Sequence, residues 1–119
     1  MREDGKVDYV ELPGGALGET KRFYAEAFGW AFTDYGPEYA AFAEGLDGGF
    51  TPHATAKAAL VILYAHDLEA MAGKVVAARG EITQPIYGFP GGRRFHFRDP
   101  AGNELAVWSE AGAASDSAD

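Results

Sequence analysis

The apolar and polar positions of the chain follow one rhythm, then another, and then repeat the pair. VDYVEL, residues 7–12, sets Val7, Tyr9 and Glu11 against Asp8, Val10 and Leu12, the alternation of a strand whose two faces see different surroundings. After the break at Pro13-Gly14-Gly15, Leu17, Phe23, Tyr24, Ala27 and Phe28 share one stripe of a helix over 16–28, and Gly29 suits its C-terminal cap. WAFTDYG, YAAFAE and GGFT follow as three short strands separated by Gly, Pro and Asp. The order then recurs. AALVILYAH reads as a buried strand, Asp67 as a helix N-cap, Leu68, Met71, Ala72, Val75 and Val76 as the buried helical stripe, and Gly80 as the cap. EITQPIY, RRFHFR and ELAVWS close the chain as three more strands, the last two joined by a tight turn at Pro100-Ala101-Gly102.

The expected fold class is therefore α+β, with two βαβββ units at about residues 6–52 and 58–110 inside a single domain of residues 1–110. A ferredoxin-like arrangement would place fewer strands after each helix than the three read here. Residues 111–119, EAGAASDSAD less its first position, are small and acidic and are read as a flexible tail.

Composition narrows the function classes. With 119 residues, 47% hydrophobic, the chain can fill a core without staples, and the absence of cysteine removes disulfides, thiolate metal sites and cysteine nucleophiles. A formal net charge of −8 opposes nucleic-acid binding. No stretch approaches about eighteen apolar residues and the charged N-terminus is followed by no apolar run, so the expectation is a cytoplasmic protein with no membrane partner. The serines, Ser109, Ser115 and Ser117, form no nucleophile elbow, and GFPGGRR lacks the phosphate-loop pattern; it reads as a flap carrying Tyr87 and Phe89. His66 and Asp67 read as helix entry and capping, and His53 lies in a linker.

Two motifs carry a resemblance. KRFYAEAFGWAF at 21–32 and FRDPAGNELAVW at 97–108, spaced by the paired βαβββ order, make the chain similar to the vicinal oxygen chelate superfamily, the glyoxalase, bleomycin-resistance and extradiol-dioxygenase group. The resemblance covers nearly all of residues 6–110. It implies sheets curled around a cavity with the helices outside. It also implies, in metal-dependent relatives, a divalent ion held by inward His, Glu or Gln from the first and last strand of each unit. Relatives are commonly homodimers. Carried over by spacing, the ligand positions fall on Tyr9, Val61 and Ala106, with the fourth near Gly48 to Thr51, and none supplies an imidazole or a carboxylate.

Strand parity, with Val10, Leu12, Phe95, Phe97, Leu105 and Val107 turned to the helices, sends Tyr9, Glu11, Arg94, His96, Arg98, Glu104, Ala106 and Trp108 to the cavity face. The candidate ligand-binding set is Tyr9, Glu11, Tyr39, Arg94, His96, Glu104 and Trp108. Arginine offers a donor fork that matches a carboxylate, and the aromatic rings offer flat apolar walls. Plainer roles stand beside these: Arg98 and Glu104 as a cross-strand ion pair, His96 as a hydrogen-bonded space filler, Arg93 and Glu11 facing solvent. The resulting expectation is a metal-free small-molecule binding protein with no cofactor, taking an anionic or aromatic ligand, and forming a homodimer. The alternative is a metal-dependent lyase, isomerase or dioxygenase with a displaced site of Glu11, His96 and Glu104.

Overall fold

The elements follow in the order β1 (Val7–Pro13), α1 (Leu17–Phe28), β2 (Thr33–Asp34), β3 (Ala40–Phe42), β4 (Gly48–Thr51), β5 (Leu60–Tyr64), α2 (Leu68–Ala77), β6 (Glu81–Phe89), β7 (Gly92–Arg98) and β8 (Glu104–Ser109). The computed structural model describes residues 2–52 and 58–111. Residues 112–119 of the expected tail, and His53 with most of the expected linker, lie outside the described residues. The α+β class and the two βαβββ modules are as the hydrophobic pattern implied. In each module the first strand pairs in parallel with the last, β1 with β4 and β5 with β8, and the last three strands pair antiparallel in sequence. Two modules of slight sequence likeness thus share one pairing scheme.

By contacts the chain divides into two units, Tyr9–Leu60 and a second built from the segment up to Asp8 together with the chain from Val61. In the unit Tyr9–Leu60 the core is aromatic. Phe42 and Phe50 are buried with their ring centroids 5.4 Å apart, Trp30 stands 4.9 Å from Phe42 and stacks on Tyr24 at 4.8 Å, and Tyr24 lies 5.2 Å from Phe50. Helix α1 reaches this cluster through Tyr24. Gly29 ends the helix in the left-handed conformation at φ 74°, its N–H returning to Ala25 O at 2.9 Å. The expected buried stripe is narrower than its period suggested: Phe23 and Phe28 are 57% and 63% exposed, because the sheet beside the helix meets only the Tyr24 side of it.

In the other unit α2 packs on the sheet. Leu68, Ala65, Phe95 and Val107 are buried together, with Leu63, Met71, Ala72, Val75, Ile82, Ile86 and Phe97 around them. Asp67 caps the helix as its position implied, accepting the N–H of Ala70 at 3.0 Å. The other end departs from expectation. The left-handed residue is Arg79, at φ 77°, and Val76 is left outside the core. Gly80 still takes part in the cap, its N–H returning to Val75 O at 2.8 Å, and it also answers a spatial demand, since a Cβ there would lie 2.6 Å from Val75 Cγ1.

The first residues of the chain fasten onto β5 and β8. Gly5 N–H donates to Tyr64 O at 2.8 Å, Tyr64 N–H to Lys6 O at 3.2 Å, and Trp108 Nε1–H to Asp8 Oδ2 at 2.9 Å. The Tyr64 hydroxyl donates to Glu110 Oε1 at 2.5 Å, and this bond above all pushes the tyrosine up to about 12 while holding the Glu110 carboxyl below its usual range.

The stretch between β7 and β8 is closed by one carboxylate. Asp99 Oδ1 accepts the N–H groups of Ala101 and Asn103, both at 2.9 Å, and Oδ2 accepts Asn103 Nδ2 at 3.1 Å. The Asn103 side chain and these backbone donors hold Asp99 below the ordinary carboxylate range. A depressed folded-state value adds stability above the unfolded pKa of about 3.9 that is lost as pH falls through the folded value. Replacing Asp99 by Ala is expected to lower the melting temperature at neutral pH, with the gap from the parent narrowing on acidification below about pH 3.9. Paired thermal melts across pH check this; a gap independent of pH contradicts it.

Candidate functional site

The face of β7 and β8 turned away from α2 carries the polar side chains. Phe95 and Val107 are buried against the helix, so alternation sends Arg94, His96, Ala106 and Trp108 to the opposite side. His96 is buried at 6% exposure and is a partner in two hydrogen bonds: Nε2 faces the Tyr87 hydroxyl at 3.1 Å and Nδ1 faces Glu104 Oε2 at 3.3 Å. Glu104 also accepts the Thr83 hydroxyl at 3.1 Å. Arg94 Nε donates to the same Tyr87 oxygen at 2.5 Å, and its guanidinium lies over the rings of Tyr87 and Phe89 at 5.7 and 5.8 Å.

The donor inventory sets the direction of each bond. Arg94 can only donate, so the Tyr87 oxygen accepts from it; the Glu104 carboxylate can only accept, so Nδ1 of His96 carries the proton. With the ring neutral, Nε2 is then the acceptor, and the Tyr87 hydroxyl donates a hydrogen bond to it. The result is a directed chain from Arg94 through Tyr87 and His96 to Glu104.

Tyr87, which the sequence pattern puts on a flap, stands inside β6. GFPGGRR forms no flap: β6 runs to Phe89, β7 starts at Gly92, and the two meet across Pro90 and Gly91. Two irregularities in the β6–β7 register bring Tyr87 opposite Arg94. Continued without them from Ile82 opposite Phe97, the register would set Pro85 there. Pro85 was the available signal, because proline inside a strand marks an edge or a bulge.

Arg98 does not pair with Glu104, its cross-strand neighbour. It bonds Glu81 at 3.0 Å across the other flank, because Glu104 turns to His96 and Thr83. Arg93 is held rather than free in solvent: its guanidinium makes a two-point contact with Glu69 of α2 at 2.7 and 3.3 Å, which lowers the glutamate's pKa. Trp108 lies 5.8 Å from Tyr64 and 6.4 Å from Phe89, with the Arg2 guanidinium 5.0 Å over its ring.

Three other expected site residues belong to the unit Tyr9–Leu60. The hydroxyls of Tyr9 and Tyr39 are hydrogen-bonded to each other. Gly49 makes room for this pair, since a Cβ on it would fall 2.3 Å from the Tyr39 oxygen. Glu11, half-buried, shares the parity of Tyr9 and pairs with Gly49 across β1 and β4. An open cavity of about 490 Å³ is lined by Tyr9, Phe32, Tyr39 and Phe42, with Glu44 and Asp47 as its acidic members.

The positions that spacing assigns to a metal carry no imidazole or carboxylate. Tyr9 is engaged with Tyr39, Ala106 is fully buried, and β4 offers only Gly49 and Thr51 on that parity. Val61 is not the inward residue of β5 as spacing implied; it shares the parity of core-packed Leu63, and Ile62, buried beside Ala106, takes that place. Among the described residues no three His, Asp or Glu side chains converge to hold an ion. No described helix is long and apolar enough to cross a membrane.

Paired βαβββ modules with a polar sheet face opposite the helix define a class of fold built on inward-facing strands. The chain belongs to the glyoxalase/bleomycin resistance protein/dioxygenase superfamily, whose sequence model matches residues 6–107. No curated protein matches the sequence. Among solved structures it resembles a Legionella pneumophila protein described as an NAD-dependent benzaldehyde dehydrogenase, with 15% identity, TM-score 0.72, and 85% of this chain and 96% of that one covered. A superfamily member from Vibrio splendidus gives 13% identity, TM-score 0.65, and coverage of 87% and 97%. The methylmalonyl-CoA epimerase of Mycobacterium tuberculosis gives 12%, 0.66, and coverage of 100% and 95%. These likenesses concern the fold alone.

The directed chain has a spectroscopic consequence. At neutral pH the proton of neutral His96 is expected on Nδ1, read from the nitrogen shifts of the labelled imidazole. A dominant Nε2–H form would contradict the bond directions above.

Proposed function

We propose that the chain is a small-molecule binding protein of the glyoxalase/bleomycin-resistance type that works without a metal and takes an aromatic or anionic ligand. The observation that carries the reading is the open cavity of about 490 Å³ walled by Tyr9, Phe32, Tyr39 and Phe42. Its volume is that of small-molecule sites, and its flat walls match a ring system. In the other unit, as a separate feature, Arg94 lies over Tyr87 and Phe89 on the β7 face and is a planar cation suited to a carboxylate. The donor set supports the metal-free part, since Ala106 and Ile62 stand where imidazole or carboxylate would be needed.

Thermal-shift measurements with aromatic carboxylates and matched uncharged aromatics test the ligand class. A compound present at a hundred times its Kd adds about 2.7 kcal/mol, a rise of several degrees for a chain of this size. The stabilisation by carboxylates is expected to fall on Arg94→Ala and that by aromatics on Tyr39→Ala; a panel without any stabilising member overturns the reading. Separately, elemental analysis of protein purified without chelator is expected to find no stoichiometric divalent ion. One tightly held ion per chain would reject the metal-free part.

A further inference from the structure

We propose that Tyr87 is an activated nucleophile, with His96 as its base and Glu104 as the residue that positions the base, forming a site for acyl transfer from small activated esters. The inference goes beyond ligand binding and stands without it, because it rests on the geometry of the β6–β8 face alone. A nucleophile in hydrogen-bond reach of a base, and the base in reach of an orienting carboxylate, is the arrangement that activates a weak hydroxyl. Here the two contacts are 3.1 and 3.3 Å, in the direction that leaves Nε2 ready to take the phenolic proton. Arg94 Nε donates to the same oxygen at 2.5 Å.

The three-part chain has features that a structural tyrosine does not need. His96 is buried while Tyr87 is only half-buried, so the base is shielded and the nucleophile remains within reach of a reagent. The β6 register is broken twice on the way to Tyr87. Bulges of this kind re-aim side chains next to active sites. Thr83 steadies Glu104 from the first of those irregular stretches.

The step balances as follows. The Tyr87 oxygen bonds to the carbonyl carbon of an aryl ester while its proton passes to His96 Nε2. The bond from carbon to the aryloxy oxygen breaks, and the imidazolium returns the proton to that oxygen, releasing a phenol and leaving an acyl-tyrosine. Water then attacks the acyl carbon, giving a proton to Nε2 that returns to the Tyr87 oxygen as the carboxylic acid leaves.

The test treats the full chain with p-nitrophenyl acetate, following nitrophenol release by absorbance and the acetylated position by peptide mass spectrometry. A burst accompanied by acetylation of Tyr87 ahead of exposed Tyr35 is expected. Tyr87→Phe should remove the burst, and Glu104→Gln should slow acetylation at Tyr87 at least about tenfold with Tyr35 unchanged. His96→Gln should do the same, and since it changes a buried side chain, circular dichroism accompanies it and Glu104→Gln decides if it fails to fold. Acetylation confined to lysines and exposed tyrosines, or a Tyr87 rate unaffected by Glu104→Gln in folded protein, overturns the proposal. Ligand stabilisation without Tyr87 acetylation would leave the binding reading standing and reject this one.

Discussion

The burial of Phe95 and Val107 against Leu68 is the interaction on which the polar face depends. Each is at most 1% exposed, and a fully buried side chain of this kind contributes about 1.5–3 kcal/mol. The exposed ion pairs nearby, such as Arg98 with Glu81, contribute under about 1 kcal/mol and cannot set the register. Because a one-residue slip would turn every side chain of β7 to the other face, the two apolar anchors decide that Arg94 and His96 share one side. The same anchors place Ala106 beside His96 and Trp108 beside Arg94.

The positions that would ligate an ion hold Tyr9, Ile62 and Ala106, while His96 engages Tyr87 and Glu104. A histidine so engaged presents a proton acceptor to a hydroxyl rather than a lone pair to a cation. The superfamily fold by itself does not fix the chemistry of its inward strands.

Much of this was legible in the chain. The two βαβββ modules, the Asp67 cap, the Gly29 cap and the turn at Pro100-Ala101-Gly102 follow from alternation, helical spacing and turn chemistry. The same parity argument picked out Arg94, His96, Glu104 and Trp108 for one face. It failed where the assumption of regular geometry failed. Phe23, Phe28 and Val76 fit helical stripes yet lie exposed, because periodicity says which residues share a face and not how much of that face the sheet covers.

The sequence by itself determined the class of fold, its repeat, and which β7 and β8 side chains stand together, since these depend on local periods of two and 3.6 residues and on turn chemistry. Only the tertiary structure decided the partners. Glu104 turns to His96 and Thr83 instead of Arg98, and Tyr87 enters the site because β6 slips twice against β7. Such choices rest on cross-strand register and on competition among several polar groups within a few ångströms, and neither is written in the spacing of residues along one strand.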